Sequence, residues 1–439
     1  MKLRAILAIG AILLGSCTSQ PQTADQTAEA LAAGKITICP DGSTLKGKKT
    51  CPTTSPTTTT SPTTGTTAPV VAASLAGETA IADNFDSSAM IEPTWYGPTG
   101  RGGIAPVSAD PVGAFRFFCG PGQLLKDDPI ALPGQPGKSH LHQFIGNTAA
   151  NANSTYQSLR TTGGSTCDNR SMPAALNRSA YWMPAMLDGM GNAVRPDYAL
   201  VYYKRIPASS PACGAPDATH IGYCTDMPNG IRFIFGYNMA TMSGGPMTPG
   251  FDRDGETFTC EVRHGGGELA VPGIYHNIAE VVAAGCPMGS SLKISITPPT
   301  CWDGKNLDVA DHRSHVVYAD GPLVTSAGER SCPADHPYYL PNLAYQWYFT
   351  TNAAFTAGNW RLSSDDMMSQ MMGKTVVPGS TLHMDYFEGW SPTIKAAFHA
   401  NCIDKHLTCN NGDLGNGTQM KEASVPSGYF PVPALVPIP

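Results

Sequence analysis

Glycine and proline punctuate this chain so densely, at 46 and 38 of 439 residues, that long uninterrupted helices have little room. Between them lie short runs of β-branched and aromatic residues, at 198–206, 230–239, 292–298, 315–319, 345–351 and 381–387. Such runs read as strands. The expected fold is mainly β: a β-sandwich-like core with short peripheral helices, long loops and disulfides. Helices should be brief. Ser391-Pro392 reads as an N-cap with proline at the first helical position, and Ile394 and Phe398 lie one turn apart. Residues 275–284 and 364–372 stop at Gly285 and Gly373, as helices do before a glycine. Met367, Met368, Met371 and Met372 read as flexible core filler rather than metal ligands.

The chain changes character near residue 70. Residues 1–16 have a basic start at Lys2 and Arg4, then an apolar run over 5–14 that is too short to span a bilayer, which needs roughly 20 residues. This is the pattern of a signal peptide. Leu14-Gly15-Ser16-Cys17 looks like the lipobox of bacterial lipoproteins, so Cys17 is the expected lipidation site, with acyl chains as the membrane partner. Thr18 follows the cysteine where an aspartate is absent, which resembles lipoproteins sent on to the outer membrane. The expected setting is the cell envelope, at the outer membrane or the periplasmic face. Residues 53–69 are almost all Thr, Ser, Pro and Gly and cannot bury enough apolar surface to fold. Residues 17–80 are therefore expected as a tether, and 81–439 as an outer domain large enough for one or two cores.

Cysteine usage agrees with export. Of 13 cysteines, Cys17 is the odd one, and the rest can pair completely. Pairing sequence neighbours gives Cys39 with Cys51, Cys119 with Cys167, Cys213 with Cys224, Cys260 with Cys286, Cys301 with Cys332, and Cys402 with Cys409. The sequence leaves other connectivities open. Cys39 and Cys51 would close a small hairpin around Asp41-Gly42, a strong turn signal. No C-x-x-C pair occurs, which argues against zinc ribbons and thioredoxin-like redox chemistry. The net charge of −6, with no basic cluster beyond Lys46, Lys48 and Lys49, argues against nucleic acid as a partner. Without a Walker loop or a G-x-G-x-x-G fingerprint, no nucleotide is expected either.

Chemistry concentrates in three motifs. In Ser139-His140-Leu141-His142, strand alternation would project His140 and His142 together. Asp311-His312-Arg313-Ser314-His315 follows Cys301-Trp302-Asp303-Gly304-Lys305-Asn306. His383-Met384-Asp385 places an imidazole and a carboxylate on one side of a strand, ahead of Glu388-Gly389-Trp390. Three uses of this set stand open. Neutral imidazoles with a carboxylate suit a divalent metal, for which His140, His142, His312, His315 and His383 are the candidates. His with Asp is also the minimal acid/base pair. The same residues could instead build a buried hydrogen-bond network that braces loops. His264-Gly265-Gly266-Gly267 is similar to a lipase oxyanion loop, but no G-x-S-x-G elbow accompanies it, so it reads as a glycine-rich loop. Six tryptophans offer candidate sugar platforms, with core packing the alternative for most.

Taken in order, the motifs resemble the domain of unknown function 1996 family of secreted fungal and bacterial proteins, from about Phe115 to Cys409. The pieces are Asp128-Pro129-Ile130, Pro133-Gly134, the 139–142 segment with Gly146-Asn147, Tyr181-Trp182-Met183-Pro184, and Gly230-Ile231-Arg232. They continue with 301–308, 311–315, Cys332-Pro333, His336-Pro337 and 383–390. Met384 departs from the small residue usual in the third motif, which bears on local packing. The resemblance implies an extracellular domain, found in fungal relatives beside carbohydrate-associated modules, and brings no established reaction. The clustering of His with carboxylates in motifs otherwise rich in Gly and Trp makes the expected function a polysaccharide-active hydrolase or lyase. Its site would be His140, His142, His312, His315, His383 and Asp385, with Asp311 orienting an imidazole and Trp302, Asp303, Lys305 and Trp390 contacting substrate. The alternative is a non-catalytic glycan-binding or envelope-structural lipoprotein.

Overall fold

A computed structural model of the chain describes residues 36–38, 44–46, 75–94, 111–167, 175–243, 256–326, 328–421 and 434–439. The chain divides into two units, Met1–Pro69 and Val70–Pro439. In the first, strands Ile36–Ile38 and Thr44–Lys46 pair antiparallel on either side of Asp41-Gly42. Residues 1–16, Cys17, the 53–69 tract, Cys39, Cys51 and Trp95 lie outside the described residues. Among those described, no helix is long and apolar enough to cross a membrane.

The second unit is mainly strand, as expected. Two sheets carry it, built from β1 (Gly113–Cys119), β2 (Leu124–Leu125), β3 (His142–Gly146), β4 (Ala180–Pro184), β5 (Tyr198–Arg205), β6 (Arg232–Gly236), β7 (Thr257–Glu261), β8 (Ser291–Ile296), β9 (Asn342–Thr350), β10 (His383–Phe387) and β11 (Thr408–Cys409). One sheet runs β7-β8-β9-β5-β1-β11, antiparallel except where β11 joins β1. The other runs β6-β10-β4-β3-β2 and is antiparallel throughout. Smaller sheets of two to four strands brace the loops.

Alternation explains how the sheets stack. In β9, Leu343, Tyr345, Trp347 and Phe349 are buried in the main core, while Asn342, Ala344 and Gln346 are partly exposed. From the facing sheet, Tyr181 and Met183 of β4, Phe233 and Phe235 of β6, and Met384 and Tyr386 of β10 enter the same core. The Phe235 and Tyr345 rings stack at 5.9 Å, and the Tyr203 and Tyr386 hydroxyls meet at 3.1 Å. This is a sandwich whose inner layer is dominated by aromatic rings, each carrying a large buried area and a directional edge. Five disulfides tie strands to loops: Cys119–Cys167, Cys213–Cys224, Cys260–Cys286, Cys301–Cys332 and Cys402–Cys409.

Helices are short. Tyr156–Thr161 (α1) opens with a Thr155–Ser158 capping box. Ile278–Ala283 (α2) precedes Gly285, and Ala353–Thr356 (α3) is a single turn. Ser363–Met372 (α4) ends on Gly373 in the left-handed conformation that glycine tolerates. Pro392–Phe398 (α5) has proline in its first turn, and Ser391 directs its hydroxyl to Asp83 rather than to the helix end.

The five-stranded sheet differs from its partner in one respect that positions the site. Every residue of β3, β4 and β10 is buried, so both faces are covered. One face meets the sandwich core. Alternation sends His142, Trp182, His383 and Asp385 to the other face, beneath the 127–141 and 306–315 loops and α4.

Candidate functional site

The strand register assembles the site. Asp385 of β10 lies opposite Trp182 of β4, and Trp182 lies opposite Phe144 of β3, two residues beyond His142. The 139–142 motif and the 383–385 motif thus meet across the sheet although 243 residues separate His140 from His383. Ring centroids stand 4.1 Å apart for His140–His142, 5.1 Å for His140–His383 and 6.1 Å for His142–His383. One ligating atom from each of these rings falls within 4.8 Å of the others, and Asp128, His142 and Asp385 form a second such group. These residues could hold a metal ion.

Each ring is held from behind. His142 Nδ1 lies 2.9 Å from the Asp127 carbonyl and His383 Nδ1 lies 3.0 Å from the Thr381 carbonyl. His140 Nδ1 lies 3.3 Å from the Leu141 carbonyl and 3.0 Å from Ser363 Oγ. A carbonyl oxygen only accepts, so these contacts place the ring proton on Nδ1 and leave Nε2 with a lone pair. His142 Nε2 is buried without a hydrogen-bond partner. Burial, with the neighbouring His142 ring, holds His140 well below the usual imidazole range. Burial and then His140 do the same for His383, while burial and then His383 bring His142 down to about 3. At neutral pH all three rings are neutral.

The carboxyls are displaced the other way. Burial, reinforced by Asp128, pushes Asp385 well above the usual carboxylate range, and neither of its oxygens has a hydrogen-bond partner. Asp128 is also raised by burial, opposed by the Ile130 and Ala131 amides that donate to it at 2.9 Å. The Arg313 guanidinium donates to the Gly236 and Tyr237 carbonyls at 3.0 and 2.9 Å, and its charge acts on Asp385.

A cavity of about 520 Å³ opens above this floor. Asp128, His140, Asp311, His312, Arg313, His383 and Asp385 line it, with Met367 and Met371 of α4 on the wall. All three sequence motifs therefore contribute to one pocket. Neighbouring Met368 packs into a small core with Tyr237 and Val376.

Several expected roles need correction. His315 is buried outside the pocket, with Nε2 3.0 Å from the Arg232 carbonyl, so it braces β6. Asp311 orients no imidazole: its Oδ1 accepts from the Arg313 and Ser314 amides and the Ser314 hydroxyl. Asp308 is the carboxylate beside His312, at 2.7 Å from Nδ1. His312 lines the pocket but stands outside both ligand groups. Trp302 and Trp390 are fully buried and present no face to a sugar. Their indole nitrogens donate to the Asn306 carbonyl at 2.6 Å and to Tyr203 Oη at 2.8 Å. Asp303 caps its own turn, accepting from the Lys305 and Asn306 amides, and neither Asp303 nor Lys305 lines the pocket. Glu388 likewise serves structure, accepting from the Gly230 and Trp390 amides and pairing with Lys395 at 2.9 Å.

Sequence reasoning passed over two pocket residues. Asp128 stands in a family motif, yet nothing local marks it as chemical. Arg313 sits inside a motif whose chemical signal is carried by its histidines. Met384 explains its own departure: it points into the sandwich core, so the larger side chain leaves the pocket side of β10 untouched.

A larger depression of about 670 Å³ lies on the outer face of the six-stranded sheet, lined by Arg116, Phe118, Tyr202, Glu261, His264 and Lys293 among others. Its Glu261 Oε1 pairs with Lys293 at 2.5 Å, Glu261 Oε2 and Arg116 Nε are buried without a hydrogen-bond partner, and His264 pins the glycine-rich loop to Ser291 and Thr350. The smaller pocket is the candidate site because three imidazoles and two carboxyls, one of them with neither oxygen partnered, gather at its floor.

A family model described as a domain of unknown function (DUF1996) matches residues 128–390. No curated protein and no solved structure matches the chain.

Proposed function

The chain belongs to the DUF1996 family, and on that premise we propose that its outer unit is a polysaccharide-active hydrolase or lyase of the cell envelope. The observation that carries this reading is Asp385: a carboxyl with two unpartnered oxygens, beside Asp128 and neutral imidazoles, on the floor of a 520 Å³ pocket. Leaving such a group unsatisfied costs on the order of 1–3 kcal/mol, a cost that a structural role does not offset and a functional one does. Burial and the neighbouring Asp128 favour the protonated form of the Asp385 carboxyl, which suits it to donate a proton to a departing sugar oxygen. Paired carboxyls are the usual equipment for glycoside cleavage, and Asp128 supplies the second within 4.8 Å. Arg313 provides positive charge beside them. Anchoring through Cys17 would hold this site at the membrane, at the outer membrane or the periplasmic face, within reach of envelope or external glycans.

The test is to incubate the full chain with capsular and cell-wall polysaccharides. Reducing ends report hydrolysis, and the ultraviolet absorbance of an unsaturated product reports elimination. Asp385→Asn, nearly isosteric, should lower turnover by about 100-fold or more while leaving the unfolding temperature close to wild type. Glycan retention with no product from any polysaccharide would refute catalysis. It would favour the binding reading, for which the outer depression, with partly exposed Phe118 and Tyr202 beside Arg116, is the supporting observation.

A further inference from the structure

The three pocket imidazoles pose an electrostatic problem of their own. His140 Nε2 and His383 Nε2 stand 3.2 Å apart. Contact with the Thr381 carbonyl makes His383 Nδ1 the protonated nitrogen. Ser363 spends its hydroxyl proton on the Leu141 carbonyl, so its oxygen accepts from His140 Nδ1. Both facing Nε2 atoms then carry lone pairs. No hydrogen stands between them, and two acceptors at that distance repel. The third ring repeats the pattern, with Nδ1 on the Asp127 carbonyl and Nε2 buried and unpartnered. Three lone pairs converge with nothing on the protein to receive them.

We propose that His140, His142 and His383 bind one first-row transition-metal ion of the zinc class through their Nε2 atoms, leaving a coordination position open to the pocket. A tetrahedral centre with metal–nitrogen bonds of about 2.0–2.1 Å sets its ligand nitrogens about 3.3 Å apart, close to the His140–His383 spacing. Imidazole-only donors select zinc, copper or nickel over magnesium and calcium, which demand oxygen. The carbonyls behind each Nδ1 are the outer-shell partners that ligating histidines require to fix ring and tautomer. Three neutral ligands leave a dication's charge uncompensated, and Asp128, which accepts from two backbone amides and is grouped with His142 and Asp385 within 4.8 Å, would supply negative charge next to it. His312 is excluded by its position outside the group, and His315 by the spending of its Nε2 on the Arg232 carbonyl. The ion would polarise a substrate oxygen or a bound water at the pocket floor.

The test needs no substrate, so it separates this proposal from the polysaccharide reading. The full chain, stripped with chelator and dialysed against excess Zn(II), should retain close to one equivalent by elemental analysis. Loaded with Co(II), it should show the visible absorption of a tetrahedral site. Alanine at His140, His142 or His383 should lower zinc retention by at least about tenfold, with circular dichroism confirming the fold, whereas His312→Ala should keep one equivalent. Wild-type chain that takes up neither ion overturns the proposal, as does full retention in His140→Ala and His383→Ala. The wild-type stoichiometry and cobalt spectrum decide the matter even where a variant fails to fold. A metal-loaded protein that cleaves no polysaccharide would sink the enzymatic reading and leave the metal site standing.

Discussion

The Trp390 ring is surrounded by aromatic neighbours, with Phe115 at 5.9 Å, Phe117 at 5.3 Å and Phe398 at 5.2 Å, and it hydrogen-bonds Tyr203. Truncation removes both the packing and a buried donor. Trp390→Ala should therefore cost about 3–5 kcal/mol, read as a fall in the denaturant midpoint. Glycan retention by the folded fraction should not change, and a selective loss of retention would contradict the placement of this ring in the core. A second residue sets a pH dependence. His399, 1 % exposed, is held well below the usual imidazole range by burial first and then by Arg205 and Lys395, with Asp404 opposing. Asp226 lies 3.8 Å from its Nδ1. Neutral when folded, His399 binds a proton only in the unfolded chain once pH falls below about 6.5. Its contribution is complete above that value and is lost as pH drops toward the depressed folded value, at up to about 1.4 kcal/mol per pH unit. Urea titrations at neutral and mildly acid pH should show His399→Gln losing less stability on acidification than wild type. Equal losses in the two proteins would rule His399 out as the source.

Among the elements, β10 bears most on the pocket, and its neighbour β6 constrains it through Gly236. This glycine has φ +82° and pairs with His383. A Cβ there would stand 2.8 Å from the Leu382 carbonyl oxygen and 2.9 Å from the His383 Cα. Gly236→Ala should cost about 2 kcal/mol or more and displace His383, whereas Gly191→Ala, at φ +94° but in open space, should carry only the backbone strain. Comparing their unfolding temperatures checks the contrast, and equal effects would show that crowding at His383 is unimportant. Disulfides give an ordered series. Removing the Cys119–Cys167 bridge, with a separation of 48 residues, should cost about 4 kcal/mol, against about 2.5 kcal/mol for Cys402–Cys409, with a separation of 7. Denaturant midpoints of the paired alanine variants test that order. The elements themselves were largely readable from sequence. Gly285 and Gly373 end their helices because positive φ costs glycine little, and β9 declares itself by alternation. Strands β3 and β4 carry no alternation in the sequence because they are buried on both faces.

The whole molecule joins a unit containing Cys17 to a sandwich that carries the pocket. If Cys17 is acylated, tritiated palmitate should label the chain and bring it to the membrane fraction, and Cys17→Ser should be unlabelled and released on gentle lysis. Label persisting in Cys17→Ser would show that acylation lies elsewhere. The mainly β class was set by the sequence alone, because glycine and proline density and residue periodicity act locally, wherever the chain later goes. The chemical character of the motifs was equally local: His142, His383 and Asp385 are polar groups within mostly apolar strands, and His140 stands two residues before His142. Which of those groups would meet was decided only by tertiary structure. Pairing β10 to β4 and β4 to β3 brings His383 and Asp385 over His142, while the turn that Asp311 caps sends His312 to the pocket wall and His315 beneath β6. Trp390 and Trp302 carry the same indole whether exposed or buried, so their roles depended on how the sheets and loops close. Periodicity tells a side chain which face of its own strand to take, and only long-range register tells it what stands opposite.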